Sequence, residues 1–256
     1  MTHFKYNKST KYTDLKTIYA QCSGPGGLKL AEFMAEKMGV SKGSRLLDVG
    51  CNRGYQACFL AKEYGLSIVG IDPWKDRMDG LPMSEHLQRN AELWGVENSV
   101  LAQQAGMPET NFASNSFDYV YSTTALEMVR ILIGEEGYLN CLKEALRVLR
   151  PEGILAIGEP MHLDVPLPPD LEPFVSQDEF SWKECFRDIH QTCAAIKSAG
   201  FEIIEADYAP DSQLWWSEYA EFDPFCIQTP DEDPKTLSID NGRWVSFGYI
   251  IACKKN

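Results

Sequence analysis

Apolar residues along this 256-residue chain fall into amphipathic runs that close on a glycine and short continuous runs that follow them. Met38-Gly39-Val40, Tyr64-Gly65-Leu66, Trp94-Gly95-Val96 and Ala199-Gly200-Phe201 each end an amphipathic stretch. A glycine there adopts the left-handed helix cap, and the next apolar residue folds back on the last turn. Three of these caps lead closely into aliphatic runs, Arg45 to Val49, Ser67 to Ile71 and Phe201 to Ile204. Helix, glycine, strand, repeated, predicts a doubly wound α/β sheet whose strands are buried on both faces. The pattern predicts strands over 45–49, 67–71, 98–102, 118–122, 153–158, 201–208 and 244–253. Helices are predicted over 26–38, 54–64, 83–94, 135–149 and 181–198, the last opened by a capping box between Ser181 and Glu184. Leu139, Leu142, Leu146 and Leu149 recur at helical spacing and form a core stripe.

Two stretches interrupt the alternation. Pro160 to Glu179 holds five prolines and is expected to be a loop over the sheet edge. Ala209 to Arg243 carries Trp215, Trp216, Tyr219, Phe222 and Phe225 among acids and prolines, with no clear period. A long aromatic connection of this kind is expected to be a lid or binding loop, with packing on the domain's own flank as the other reading. The domain reading is a cap segment at 1–25, then one domain at 26–256 with a lid-like insertion at 209–243.

Chemistry enters at Leu46-Leu47-Asp48-Val49-Gly50-Cys51-Asn52-Arg53-Gly54, a buried strand joined to a helix through a glycine-bearing turn. Such a turn lets backbone N–H groups and a helix N-terminus approach a ligand closely. The next strand ends in Asp72, 18 residues after Gly54, where a carboxylate can accept hydrogen bonds from a ribose diol. The spacing Gly50-x-x-x-Gly54, with Asn52 between, departs from the G-x-G-x-x-G of dinucleotide folds.

Further along stand Val69-Gly70-Ile71-Asp72, Asn115-Ser116-Phe117-Asp118-Tyr119-Val120, and Leu142-Lys143-Glu144-Ala145-Leu146-Arg147-Val148-Leu149-Arg150-Pro151-Glu152-Gly153. With Leu47-Asp48-Val49-Gly50-Cys51, this ordered series resembles the class I S-adenosylmethionine-dependent methyltransferases, particularly their ubiquinone/menaquinone-type and sterol-type small-molecule branch. The resemblance covers residues 26–160 well and is nearly silent on the acceptor. It implies a mostly parallel, seven-stranded Rossmann-like sheet with an antiparallel last strand pair, and S-adenosyl-L-methionine as cofactor. It places Asp48, Gly50 and Cys51 near the methionine moiety, with Gly54 opening the helix beside it. Asn52 stands where a glycine is usual and is expected to contribute a backbone contact. The resemblance further gives the ribose to Asp72, the adenine flank to Pro73 and Trp74, and the adenine amino edge to Gln104 and Ala105. Ser122 is placed beneath the methionine part.

Net charge narrows the partners. With 24 basic and 37 acidic residues the formal charge is −13, which argues against a nucleic-acid substrate. No apolar run approaches the roughly 20 residues of a membrane span. The polar N-terminal stretch lacks the apolar core of a secretory signal, so a soluble, cytoplasmic protein is expected. All eight cysteines stand singly with no C-x-x-C pair, so no metal site is expected. Oligomeric state does not follow from the sequence.

Methyl transfer is an in-line displacement in which the protein aligns acceptor and donor and keeps water out. A base is required only for an acceptor that holds a proton. His162, after the fifth strand, is the first candidate base, against an idle loop histidine. Glu127 is the second, either orienting an amine or serving as a helix-start carboxylate. Glu159, Trp215, Trp216 and Tyr219 are expected on the side of a small-molecule acceptor; the three rings suit a flat or aliphatic acceptor, and a methylammonium product also fits against them. Two other readings stay open. One is a non-catalytic adenosyl-binding regulator. The other is a thiol or metalloid methyltransferase using Cys22, Cys58, Cys185 and Cys226.

Overall fold

The computed structural model describes residues 4–22, 24–176 and 181–255. Seven strands form one sheet: β1 (Arg45–Val49), β2 (Ser67–Ile71), β3 (Val100–Gln103), β4 (Phe117–Thr123), β5 (Leu149–His162), β6 (Phe201–Tyr208) and β7 (Val245–Lys254). Their order is β3-β2-β1-β4-β5-β7-β6, with β7 antiparallel to both neighbours and the β3-to-β5 half parallel. This is the expected α/β architecture. The order reverses between β1 and β4, and open α/β sheets bind ligands at that point, beyond the strands' carboxyl ends. Register makes the ends flush there, since Val49 pairs with Ile71 on one side and Ser122 on the other.

Helices cover both faces. On one lie α1 (Leu15–Gln21), α2 (Gly27–Met38), α3 (Tyr55–Tyr64) and α4 (Met83–Trp94), burying Phe33, Met34, Phe59 and Leu60. On the other, α5 (Leu126–Val148) buries Leu142 and Ala145 beside Ile196. Short helices α6 (Glu172–Val175) and α7 (Trp182–Cys185) precede α8 (Ile189–Ser198). Between β6 and β7 run α9 (Ser212–Phe222), α10 (Pro224–Gln228) and α11 (Asp233–Asp240). Among the described residues no helix is long and apolar enough to cross a membrane.

Four boundaries differ from the sequence reading, each for a local reason. Strand β5 continues through Pro160 to His162, so the loop begins later than expected. β4 stops pairing at Thr123–Gly158, and Pro160 points the same way as Gly158, so no neighbouring strand needs the N–H it lacks. Helix α5 starts nine residues before the predicted 135, because non-helical Ile133 and Gly134 (φ 74°) break its period. The predicted helix 181–198 is two helices. Ser181 makes no cap and donates instead to the Val175 carbonyl at 2.9 Å. The capping box belongs to Asp188 and Gln191 at the start of α8. The aperiodic 209–243 stretch is largely helical, and its Trp215 joins the main core between Phe33 and Phe247.

The N-terminal segment is tied down by one buried acid. Glu32 on α2 accepts from the N–H groups of Asn7, Lys8 and Ser9 at 2.8, 2.9 and 2.6 Å, and from the Ser9 hydroxyl. Tyr12 stacks on Trp94 at 4.9 Å. These contacts carry α1 across the mouth of the crevice, where Arg53 donates to the Ala20 carbonyl at 2.7 Å.

Candidate active site

Beyond the aligned ends of β1, β2 and β4 the chain forms a crevice in two connected parts. The inner part is lined by Gln21, Cys22, Asp48, Cys51, Gln56 and Thr123. The outer part runs from Asn52 and Asp72 to Pro73, Trp74, Ala105 and Met107, facing Leu126 and Val129 of α5. Gly50, Asn52 and Thr124 border both.

The β1–α3 turn has no room for side chains. Gly50 has φ 75°, and a Cβ on it would stand 2.3 Å from the Cβ of Ala125, far inside contact. Gly54 opens α3, and a Cβ there would meet Leu87 at 1.9 Å. Asn52 sits in the left-handed region at φ 49°, a conformation asparagine tolerates better than most residues. Its side chain accepts from the Arg53 N–H at 2.6 Å, and its own N–H donates to Asp72 at 2.9 Å. Asn52 thus adopts the left-handed backbone that a glycine would take freely.

Asp72 is held at both oxygens, by the N–H groups of Asn52 and Trp74, each at 2.9 Å. Burial pushes its carboxyl up, and the two N–H groups pull it partly back. Asp48 is more fully enclosed. Burial, then the charge of Asp72, pushes it up to about 8. Two enclosed acids side by side, facing a narrow cavity, favour a cationic ligand group at the inner end.

These features fit an adenosyl cofactor with an amino-acid tail: a carboxylate for the ribose diol, an apolar slot for a base, and an acid at the tail. Residues 47–157 match a methyltransferase domain family. This chain therefore carries a methyltransferase domain, as the ordered motifs led us to expect. Cycloartenol-C-24-methyltransferase 1 of Oryza sativa subsp. japonica is 32% identical over 196 residues, 75% of this chain and 53% of that protein. The chain spans about half the length of such curated relatives, 51 to 53% of three of them. Phosphoethanolamine N-methyltransferase 2 of Haemonchus contortus, solved with S-adenosyl-L-methionine, superposes with a TM-score of 0.72 at 21% identity, covering 96% of this chain and 58% of that one. The [4+2]-cyclase SpnF gives a TM-score of 0.73 at 18% identity, over 98% and 94% of the two chains. At these identities the structural matches establish the fold alone, and the cyclase shows that the fold does not fix the reaction.

The structure gathers some of the sequence candidates at the methyltransferase crevice and sets others elsewhere. Asp48, Gly50, Cys51, Asn52, Asp72, Pro73, Trp74 and Ala105 line it, and Gly54 lies behind the turn. Gln104 is exposed and donates to the Pro73 carbonyl at 3.4 Å. The Ser122 hydroxyl is buried behind the crevice, donating to the Val49 carbonyl. Trp215 is fully buried in the core, and Trp216 packs on Trp182 while donating to the Ser246 carbonyl. Neither tryptophan lines the crevice. Tyr219 lines a further chamber, described below.

Glu127 and Glu159 form a buried cluster with Arg130 and Tyr138 behind α5. Arg130 donates to Glu159 at 3.1 Å and stacks 3.6 Å over the Tyr138 ring. Burial and the charge of Glu159 push Glu127 well above the ordinary carboxylate range. His162 stacks on Trp244 at 4.8 Å, its Nδ1 on the Leu163 carbonyl. None of the three faces the crevice.

The four cysteines weighed as metalloid ligands are buried on different elements, Cys22 at the inner cavity, Cys58 on α3, Cys185 under the Glu127 carbonyl and Cys226 on α10, and among the described residues no three of them converge. Burial pushes the Cys58 and Cys226 thiols up to about 12, the wrong direction for a thiolate ligand. Among the described residues, Asp76, Asp79 and His86 are the one group of at least three such side chains close enough to share an ion. Arg53 already pairs with Asp76 there.

Sequence reading missed the α5 wall, Thr124 to Ile133. Its signal was position, since these residues directly follow β4 at the sheet's carboxyl edge, where ligands bind.

Proposed function

We propose that this chain transfers the methyl group of S-adenosylmethionine to a small-molecule acceptor. The observation that carries the reading is the junction of two cavities. Trp74, Met128 and Leu132 line both the outer crevice and a larger chamber of about 840 Å³ beneath α10 and α11. A cofactor in the crevice and an acceptor in the chamber would meet across those side chains.

When bound, the cofactor supplies an electrophilic methyl group on a sulfonium. The residues of this chain do the rest. Asp72 binds the ribose diol, with its oxygens aimed by Asn52 and Trp74. Asp48 faces the cationic tail, and Gly50, Cys51 and Gly54 keep the backbone close. Pro73, Trp74 and Ala105 take one side of the adenine and Leu126 and Val129 the other. Met128 and Leu132 exclude water from the junction, and the docked N-terminal segment covers the tail. His162, stacked on Trp244, and Glu127, packed between α5 and β5, both face away from the crevice and leave proton removal to groups of the chamber. Asp233, which accepts from the Tyr219 hydroxyl at 2.9 Å, is the best placed.

The test is formation of S-adenosylhomocysteine from S-adenosylmethionine over a panel of amines, hydroxy compounds and isoprenoids. At least one acceptor should turn over, and Asp72→Ala should abolish it with the fold intact. Tight cofactor binding with no turnover across the panel would refute the enzyme reading and favour an adenosyl-binding regulator.

A further inference from the structure

The chamber beyond the junction has a composition unlike the crevice. Five aromatic side chains wall it: Trp74, Phe174, Trp182, Tyr219 and Phe225. Four carboxylates stand among them, Asp223, Asp231, Glu232 and Asp233, all at or between α10 and α11. Lys75 and Arg77 also border the space, but both are exposed on the β2–α4 connection. Asp231 and Glu232 are exposed as well, so the acids set into the wall itself are Asp223, which is buried, and Asp233, which is half-buried. Asp223 is buried, and its carboxyl oxygen accepts from the Phe225 N–H at 2.8 Å. Burial pushes Asp233 up to about 6, so it still carries its charge at neutral pH.

An apolar acceptor needs rings but no buried acids, which cost free energy to desolvate. An anionic acceptor would be repelled. Aromatic faces and carboxylates together suit a cation, because a ring face attracts positive charge and an acid completes it. One chamber ring already holds such a group, with the Lys235 ammonium 5.6 Å from the centroid of Phe174.

We propose that the chamber binds a positively charged amine as acceptor: Asp233 takes one proton from the ammonium, the freed nitrogen lone pair forms the new N–CH3 bond as the sulfonium C–S bond breaks with its electron pair left on sulfur, and the products are S-adenosylhomocysteine and an ammonium with one more methyl group. The proposal rests on the reading of this chamber as the acceptor site and names its substrate class. Asp233, backed by Tyr219, and Asp223 neutralise the ammonium, while Trp182 and Phe225 take its methyl groups.

The experiment uses a shape-matched pair, choline and 3,3-dimethylbutan-1-ol, titrated calorimetrically into the full chain loaded with S-adenosylhomocysteine. The cation should bind at least tenfold more tightly than its neutral counterpart. Asp233→Asn should cut that preference at least threefold. Phe225→Leu should do the same, at a ring that is 49% exposed and so dispensable for folding. Affinity for S-adenosylhomocysteine itself should be unchanged in both variants. Equal binding of the two probes, binding of neither, or a preference that survives both substitutions would overturn the proposal. Failure of the methyltransferase reading shows separately, as absence of S-adenosylhomocysteine binding to the unmodified chain.

Discussion

Replacing Gly50 by alanine probes the crevice at its tightest point. The new Cβ would lie 2.3 Å from the Cβ of Ala125. Carbon contacts settle at about 3.5–4.0 Å, so Ala125 must retreat by roughly 1.2 Å or more. Overpacking of that kind costs about 1–3 kcal/mol. The left-handed backbone at φ 75° adds about 1–2 kcal/mol for a residue with a Cβ. Together the two give about 2–5 kcal/mol. For a domain of this size the lower bound corresponds to a fall in Tm of about 4–8 °C. Ala125 is the N-cap of α5, whose Leu126 and Val129 line the crevice, so its retreat also deforms the cofactor wall. A loss of about 1.4 kcal/mol in binding would raise the Kd tenfold. Calorimetric titration with S-adenosylhomocysteine and a thermal melt read both effects. Gly39→Ala serves as the control, because Gly39 shares the left-handed backbone but has nothing within 4 Å of a new Cβ. It should lose stability modestly and bind normally. A Gly50→Ala variant with unchanged affinity, or no worse than the control, would refute the reasoning.

Three further outcomes are expected. Deleting residues 1–20 removes the Ala20 carbonyl from Arg53 and three backbone donors from Glu32, so the cofactor Kd should rise sharply; an unchanged Kd in a folded variant removes the cap role. Asp48 is mostly neutral at pH 7, its carboxyl raised from 3.8 to about 8 by burial and then by Asp72. A raised acid costs stability increasingly as pH climbs from its ordinary value toward the folded one, and a cationic ligand relieves that cost. Affinity for S-adenosylmethionine should therefore rise from pH 6 to pH 9 with proton release, and Asp48→Asn should flatten the profile; a flat profile in the unaltered chain contradicts this. Between α5 and β5, Glu127→Gln should be nearly neutral, since burial and the Glu159 charge already push that acid toward its uncharged form. Arg130→Met strands Glu159 without its guanidinium at a cost of about 3–5 kcal/mol; equal melts for the two variants would show that the cluster is wrongly charged.

What the sequence disclosed was what lies close together along it. The β1 turn, Asp72 and the helix between them are contiguous, and strands buried on both faces advertise themselves as unbroken apolar runs. Asn52 looked like a departure, and the structure explains it through asparagine's tolerance of the left-handed backbone. The chamber was far less legible, because facing is not written in residue type. Trp215 and Tyr219 are four residues apart on α9, yet Trp215 lands on Phe33 and Tyr219 on Asp233. Glu159 lies at the carboxyl end of β5 as expected, but strand alternation turned it toward Arg130 behind α5. In α5 the break at Gly134 hid the first turns that wall the crevice. The capping pattern at Ser181 suggested one long helix, whereas α8 starts at Asp188, whose carboxylate reaches two N–H groups at 2.7 and 2.8 Å.

The most direct test of the cofactor site is thermal unfolding with S-adenosylmethionine, S-adenosylhomocysteine and NAD, each at about 100 times an expected Kd. A ligand that binds only the folded state then adds about 2.7 kcal/mol. Both adenosyl compounds should raise Tm by several degrees and NAD should leave it unchanged, with the shift lost in Asp72→Ala. A shift with NAD alone, or none with either adenosyl compound, would contradict the site described here.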